Sequence, residues 1–303
     1  MAHPPERIPE HFVDAHHHLW DLSACHYPWL MERGVKRFFG DPTPIQKDYL
    51  VSDFRTDIGD LPVVKSVHIQ VGVAEEDAVK ETQWVQAQAE AHGLPNAIVA
   101  FCDLTKPGFK AQLDAHQQLS GLRGVRQIVG RDAIEDAKLG TNSLLSNPSF
   151  KDGLQALVAR GLSFDLQLTP PLLKTAAALF KAVDDLPVAL CHAGSLQDFS
   201  ADGVAAWRSG LKAFAETPNA ICKISGFGMF QPNWTPDTVR DHVLSVIDIF
   251  GPDRVAFGSN FPVDKLSASY GDNLGAYLEV TSDFSAAERT AMFAGTAERF
   301  YRI

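Results

Sequence analysis

Short apolar runs rich in β-branched and aromatic residues recur along the chain, and polar segments separate them. A run of this length between turn residues predicts a strand, and a run that is apolar on both faces predicts a strand buried in a parallel sheet. Eight runs meet this description: Phe12–Trp20, Val63–Gly72, Ala97–Leu104, Leu122–Gly130, Leu162–Thr169, Pro187–Ser195, Ala220–Gly228 and Arg254–Val263. The sequence therefore predicts an eight-stranded sheet.

Segments with helical signals lie between most of these runs. Strand and helix alternate eight times over roughly 250 residues, which is the pattern of a (β/α)₈ barrel. The clearest helix signals are the acidic start of Glu75–Ala91 before Gly93, the Thr235–Pro236 start of a helix that stops at Gly251, and the capping box from Ser285 to Glu288.

An open doubly wound sheet is the competing α/β architecture. It usually carries a glycine-rich phosphate turn after its first strand, whereas here the first run continues into Leu19-Trp20-Asp21. The chain has no linker, low-complexity segment or fixed-period repeat. We therefore predict an α/β fold, a (β/α)₈ TIM barrel, with residues 1–303 as one domain.

Two connections are unusually long for this fold, Asp21–Leu61 after the first strand and Arg131–Ala159 after the fourth. In a barrel both leave from the carboxyl ends of the strands, where active sites are built. We expect them to be lids or pocket walls, and ordinary surface insertions are the alternative. Trp207 and Trp234 are expected at the surface, as interface anchors or as helix packing.

Composition excludes several classes of protein. The 37 acidic and 27 basic residues give a net charge of −10 without a basic run, so nucleic acid is not an expected partner. No run of about 18 apolar residues predicts a membrane span, and residues 1–7 lack the apolar core of an export signal, which favours a cytoplasmic location. The cysteines are predicted to be reduced, buried thiols without a disulfide or a cysteine-held zinc: Cys25, Cys102, Cys191 and Cys222.

The first run contains the most informative residues of the chain, His16 and His18 in an H-x-H pair. Strand alternation predicts that both point the same way as Asp14, with His17 on the opposite side. Two imidazoles on one face are typical of a metal or proton-transfer site.

Polar side chains also end the other predicted strands, and in a barrel these ends share one mouth. We predict that Arg126 binds a substrate carboxylate or hydroxyl through its planar fork. Asp165 is either a substrate contact or a core carboxylate paired with Lys223, and His68 is either a substrate contact or hydrogen-bonded in the wall. The remaining candidates at these ends are Gln70, Gln127, Gln167, His192, Ser225, Asn260 and Asp264.

Taken together, these motifs resemble the amidohydrolase superfamily, in particular its amidohydrolase 2 branch of sugar-lactone and pyrone-dicarboxylate lactonases. The resemblance runs from end to end and implies a TIM barrel. The matching segments are Asp14 to Asp21 (D-x-H-x-H-x-W-D), Tyr27 to Leu30 (Y-P-W-L), Gly124 to Arg126 (G-V-R), Phe164 to Leu166 (F-D-L), His192, Lys223 to Gly226 (K-x-S-G) and Gly295 to Tyr301 in the terminal helix.

The eighth strand departs from the family pattern. This branch often has G-S-D-W-P there, with an aspartate that acts as general base and metal ligand, whereas this chain has Asn260 in Gly258-Ser259-Asn260-Phe261-Pro262. An asparagine carries no charge and cannot take a proton at neutral pH. Asp264 follows four residues later, and we expect it to fold back and replace the missing carboxylate.

The resemblance implies hydrolysis of a lactone, such as fuconolactone or rhamnonolactone, as a small-molecule substrate. It implies one divalent metal, zinc or manganese, on His16, His18 and His192, and it leaves metal-independent hydrolysis open. A decarboxylase of an unsaturated acid and a non-catalytic metabolite binder are the alternatives, and no oligomeric state is predicted. The implied catalytic residues are His16, His18, His192 and Asp264, and the implied substrate-binding residues are Trp29, His68, Gln70, Arg126, Asp165, Lys223 and Asn260.

Overall fold

A computed structural model describes residues 9–303, and within them eight parallel strands form one sheet in chain order. The first and last strands are joined beyond their ends, where the Asn260 N–H donates to the His16 carbonyl and the His18 N–H donates to that of Phe261, both at 2.7 Å. The predicted TIM barrel is confirmed. Its strands are β1 (Phe12–His17), β2 (Val63–Ile69), β3 (Ala97–Ala100), β4 (Leu122–Arg126), β5 (Ser163–Leu166), β6 (Val188–Leu190), β7 (Ala220–Ile224) and β8 (Val255–Phe257).

Helices surround the sheet and continue into the loops at its carboxyl end. The α-helices of the described residues are α1 (Pro28–Met31), α2 (Val51–Ile58), α3 (Ala78–His92), α4 (Phe109–His116), α5 (Ala133–Leu139), α6 (Pro148–Val158), α7 (Leu173–Lys181), α8 (Ala201–Ala215), α9 (Phe227–Phe230), α10 (Pro236–Phe250), α11 (Tyr270–Val280), α12 (Ala286–Thr290) and α13 (Thr296–Tyr301). A π-helical turn, Ala291–Gly295, joins α12 to α13.

The predicted helix ends are confirmed. Gly93 ends α3 in the left-handed conformation, at φ 77°. The Thr235 side chain accepts from the Thr238 N–H at the start of α10, with Pro236 as its first residue. Ser285 and Glu288 form the predicted reciprocal capping box of α12.

The strands are shorter than the apolar runs that predicted them, because each run continues past the ladder at its carboxyl end. The predicted strand Arg254–Val263, for example, contributes only Val255–Phe257 to the sheet. The last predicted residues of the sixth run instead form a 3₁₀ turn, His192–Gly194. These extensions are apolar because they are buried, and in part they form the site.

A bulge in β1 changes the direction of the side chains that follow it. Between Asp14 and His17 the strand advances three residues, while β2 advances two. Asp14 consequently lies on the outer face, where it accepts from the Tyr270 hydroxyl of α11 at 3.0 Å. The prediction that Asp14 shares a face with His16 and His18 is therefore wrong. His17 is also outside, as predicted, stacked on Phe54.

The lower half of the barrel interior is apolar and its upper half is polar. Small and branched side chains from the strands fill the lower half, and Tyr301 and Ala297 of α13 pack against them. All four cysteines are buried with free thiols. Trp207 is fully buried in α8, so the prediction that it is exposed is wrong.

Within residues 9–303, no helix is both long and apolar enough to cross a bilayer. The expectation about an export signal concerns residues 1–7, which lie outside the described range.

Two helical glycines give a matched test of the packing. A methyl group on Gly153 of α6 would lie 2.8 Å from the Leu104 carbonyl oxygen, whereas one on Gly275 of α11 would have no neighbour within 4 Å. We expect Gly153→Ala to lower the free energy of unfolding by about 1–3 kcal/mol. Gly275→Ala should raise it by about 0.5–1 kcal/mol through helix propensity. Urea denaturation measures both, and shifts of the same sign would contradict this packing.

Candidate active site

A cavity of about 350 Å³ opens at the carboxyl ends of the strands. Its base is polar and its walls are aromatic and apolar. Both long loops line it, Trp29 and Phe39 from the first and Arg131 and Leu139 from the second, so the expectation that they form pocket walls is confirmed. The polar residues at the base are His18, Arg126, Gln167, His192 and Asn260.

Three histidines meet at this base, His16 and His18 from the end of β1 and His192 from the turn after β6. The ring centroid of His16 lies 5.1 Å from that of His18 and 4.5 Å from that of His192. Nδ1 of His18 lies 2.7 Å from the Ile69 carbonyl oxygen, and Nδ1 of His192 lies 3.0 Å from the Ser225 hydroxyl. These contacts hold two of the three rings in place.

Burial lowers the pKa of all three imidazoles, and for His18 it lowers the pKa to about 3. The rings are therefore neutral at pH 7 and present lone pairs. Both ring nitrogens of His16 are buried without a hydrogen-bond partner. A buried imidazole without any partner is costly unless a ligand satisfies it.

Left-handed backbone conformations occur beside these histidines at residues that are not glycine. The φ angles are 54° at His192, 51° at Ala193 and 57° at Asn260. Such conformations cost about 1–3 kcal/mol each and cluster at functional sites. Trp207 stabilises one of them by donating to the Ala193 carbonyl oxygen at 2.7 Å, which explains its burial.

Asp264 is fully buried behind Asn260 and does not line the cavity. Its Oδ1 accepts from Nδ2 of Asn260 at 2.9 Å, and Oδ1 of Asn260 faces Nε2 of His18 at 3.3 Å. Burial raises the pKa of Asp264 to about 7. Asp264 does fold back toward Asn260, but it contacts the amide and not the cavity.

Arg126 is a buried cation at the edge of the cavity. One of its terminal nitrogens donates to Oε1 of Gln167 at 3.2 Å, the other donates to the Gln70 carbonyl oxygen, and Nε has no partner. Among residues 9–303, no carboxylate oxygen lies within 4.0 Å of its guanidinium nitrogens. A buried guanidinium without a counter-charge is unfavourable until an anion binds.

Asp165 and Lys223 form a fully buried ion pair of 2.5 Å below the cavity, where Lys223 also donates to the Ala15 carbonyl oxygen. The Tyr301 hydroxyl donates to the same carboxylate. Of the two readings of Asp165 left open by the sequence, the structure favours the paired core carboxylate.

In the described part of the chain, one group of His, Cys, Asp and Glu ligand atoms lies within 4.8 Å of one another: His16, Asp165 and Cys191. This differs from the predicted triad of histidines. Lys223 already satisfies the carboxylate, and burial raises the pKa of the Cys191 thiol to about 12. This group is therefore a poor metal site. The ligand atoms of the three histidines do not all lie within this distance, but the nitrogens of His16, unpartnered among the described residues, remain available to an ion.

The structure does not bring His68 and Gln70 into the cavity. His68 lies on the outer face of β2, with its ring 6.2 Å from that of His17, and its Nδ1 accepts from the Leu19 N–H. Of the two readings of His68, the structure favours the residue bonded in the wall. Oε1 of Gln70 accepts from the Gly72 N–H, so it supports the strand end.

Sequence reasoning missed two cations at the rim of the cavity, Arg37 and Arg131. Arg37 makes a two-point ion pair with Glu135 of α5, at 3.1 and 2.8 Å, and this pair connects the two long loops. Arg37 also lies over the Trp29 ring, 5.8 Å from its centroid. The signal for these residues was only the predicted loops, because a loop's length does not show which of its side chains turn inward.

The sequence of residues 13–303 matches the Amidohydro_2 profile, which describes amidohydrolases. The chain belongs to the amidohydrolase family. The predictions of this family and of a hydrolase are confirmed. The amidohydrolase fold is shared by solved structures, including an amidohydrolase of Burkholderia multivorans with bound zinc, at a TM-score of 0.81 and 26% identity over 97% of this chain and 99% of that one.

Curated relatives of this amidohydrolase cover nearly its whole length. An uncharacterised protein of Sinorhizobium fredii, y4mH, is 39% identical over 96% of this chain and 98% of that protein. An L-fucono-1,5-lactonase of Burkholderia multivorans is 28% identical over 96% of both chains. A structure from Acinetobacter baumannii, described as a probable pyrone-dicarboxylic acid hydrolase, has a TM-score of 0.73 at 14% identity over 96% of this chain and 99% of that one, and shows the fold alone.

Glu81 of α3 is a buried carboxyl beneath the first loop. Its Oε1 accepts from the Val71 N–H at 3.2 Å, and the Val71 carbonyl oxygen accepts from Nε1 of Trp29 at 2.6 Å. Burial raises the pKa of Glu81 to about 8 from an ordinary value of 4.5. The folded protein therefore holds this proton in a range where the unfolded chain has lost it.

We expect this difference to make stability fall as the pH rises from 4.5 to 8. In Glu81→Gln the part of this fall that comes from Glu81 should disappear. Between pH 4.5 and 8 the free energy of unfolding of the wild type should therefore fall by a few kcal/mol more than that of the variant. Denaturant titrations at several pH values measure it. Asp14 and Asp264 also have raised pKa values but remain in both proteins. Parallel pH profiles would contradict a buried, protonated Glu81.

Proposed function

We propose that this amidohydrolase hydrolyses a lactone, and specifically a sugar lactone such as fuconolactone or rhamnonolactone. The observation that carries the proposal is the combination of neutral, lone-pair-bearing histidines with an unpaired, buried Arg126 in one cavity. The fuconolactonases of two Burkholderia species, 28% and 26% identical to this chain, support the substrate class.

Lactone hydrolysis needs a group that accepts negative charge as it develops. The carbonyl of the ring is neutral, the tetrahedral intermediate is an oxyanion, and the product is a carboxylate. Arg126 can supply donors to this charge without moving, because Gln167 and the Gln70 carbonyl hold it. Its guanidinium lacks a counter-charge before the reaction and gains one during it.

The attacking water must also lose a proton. The described residues that line the cavity include neither Asp nor Glu, so in the absence of a metal ion the imidazoles of His18 and His192 are the groups that can accept this proton. Nδ1 of His192 is hydrogen-bonded to the Ser225 hydroxyl at 3.0 Å, which leaves Nε2 for this role. Trp29, Phe38 and Phe39 enclose the space above these groups and exclude bulk water from it.

His16, His18 and His192 would hold a divalent ion, zinc or manganese, since the buried nitrogens of His16 lack partners. Such an ion polarises a carbonyl and lowers the pKa of a bound water. The residues around it would still orient the lactone and stabilise its charge. Hydrolysis without an ion would instead depend on His18 or His192 as the base.

The first experiment measures the metal content of the purified protein and its activity toward a panel of sugar 1,4- and 1,5-lactones, before and after chelation. We expect about one ion per chain and loss of turnover on chelation, restored by zinc or manganese. Turnover that survives chelation would assign the proton to a histidine. Carbon dioxide release from unsaturated acids would indicate a decarboxylase, and ligand binding without turnover on any lactone would indicate a binding protein.

Arg126→Met should lower kcat/KM by about 10²–10³-fold, because the oxyanion loses its donors. Arg126→Lys should not restore activity, since a single ammonium cannot replace the planar fork. Arg123→Met is the matched control: Arg123 lies on the same strand but donates to the Ser120 and Leu122 carbonyls. Steady-state kinetics of the three variants measures these changes in kcat/KM. An Arg126→Met protein with wild-type kcat/KM would contradict the role of Arg126 in stabilising the oxyanion.

A further inference from the structure

The hydrogen-bond partner of His18 fixes which of its ring nitrogens carries the proton. Nδ1 lies 2.7 Å from the Ile69 carbonyl oxygen, and a carbonyl oxygen only accepts, so Nδ1 must donate. In a neutral ring Nε2 then carries a lone pair. This lone pair is directed at the side chain of Asn260, 3.3 Å away.

The orientation of the Asn260 amide follows from Asp264 in the same way. One side-chain oxygen of Asp264 lies 2.9 Å from the amide, and the backbone N–H groups of Gly226 and Gly228 also donate to Asp264, so it serves as an acceptor and the amide turns its nitrogen toward it. Nδ2 of Asn273 lies 3.5 Å from the other carboxylate oxygen and helps to hold Asp264 in place. Oδ1 of Asn260 is therefore turned toward His18.

Two acceptors consequently face each other at the base of the cavity with no proton between them. His18 is 5% exposed and Asn260 1%, so water reaches this contact only from the cavity. His16, with two unpartnered nitrogens, lies beside them and is linked to Asn260 by a backbone hydrogen bond. The facing lone pairs of His18 and Asn260, with the unpartnered lone pair of the neutral His16 ring beside them, fit a cation.

We propose that Oδ1 of Asn260 is a ligand of the divalent ion, beside His18 and His16, and that Asp264 is a positioning residue that keeps this oxygen turned inward. The proposal rests on the metal site of the proposed function. The work of the expected strand-eight aspartate is then divided between two residues. Asn260 supplies the oxygen, and Asp264 supplies the buried hydrogen-bond acceptor that orients it.

The test is a zinc titration of metal-free protein by calorimetry, with four proteins in a cycle: wild type, Asp264→Ala, Asn260→Asp and the double variant. With Asn at position 260, loss of Asp264 frees the amide to turn its nitrogen to His18, and we expect zinc affinity to fall about 10–100-fold. With Asp at position 260, both oxygens are equivalent and need no orientation. There, loss of Asp264 should leave the affinity unchanged or raise it, because a repelling carboxylate is removed.

A purely structural role for Asp264 gives a different result, since affinity would then fall equally in both backgrounds and overturn the proposal. Absence of zinc binding by the wild type would overturn it as well. Asp264→Asn is the conservative rescue: its amide oxygen can still accept from Asn260, so affinity should recover to within about threefold of wild type. Thermal unfolding of the metal-free variants will show whether Asp264→Ala folds. If it does not, Asp264→Asn remains available for the zinc titration.

Ser267→Ala is the control variant. It removes a hydrogen bond to the Asp264 carbonyl oxygen in the same turn without contacting the amide of Asn260, so zinc affinity should stay at the wild-type value. Lactone hydrolysis is assayed separately on the same proteins. Zinc binding that follows the predicted cycle without turnover on any lactone would refute the proposed function and leave this inference standing.

Discussion

Two backbone hydrogen bonds between the first and last strand ends determine both the closure of the barrel and the position of its site. The Asn260 N–H binds the His16 carbonyl, and the His18 N–H binds that of Phe261. Because the bonded residues are themselves the candidate ligands, the site cannot form unless the barrel closes. The barrel and the site therefore form together, through contacts between residues more than 240 positions apart in the chain.

The fold could be predicted from the sequence because its signals are local. Apolar runs, helix caps such as Ser285 with Glu288, and the order of the elements each depend on a few neighbouring residues. The face occupied by Asp14 could not be predicted, because it depends on a bulge that exists only when β1 pairs with β2. A motif that appears regular in sequence, D-x-H-x-H, is therefore irregular in space.

Some members of the candidate site could be predicted from the sequence, but their arrangement could not. His18, His192, Arg126, Trp29 and Asn260 line the cavity as strand ends and loops suggested. Asp264 could have faced either the cavity or the side-chain amide of Asn260. The outcome depended on the geometry of a turn, which the spacing of residues in the sequence does not determine. Arg37 and Arg131 could not be predicted for a related reason. The side chains of the two long loops are positioned by contacts between the loops, such as that of Arg37 with Glu135.

The charge of the cavity is opposite to that of the whole chain. Among residues 9–303, three arginines and no carboxylate line the cavity, in a protein with a net charge of −10. For the proposed reaction, a neutral lactone enters this field without bias, whereas the acid that forms from it is held inside and repelled from the surface outside. Departure of the product would then be the electrostatically opposed step, and ions in solution would ease it by screening Arg37 and Arg131 at the rim.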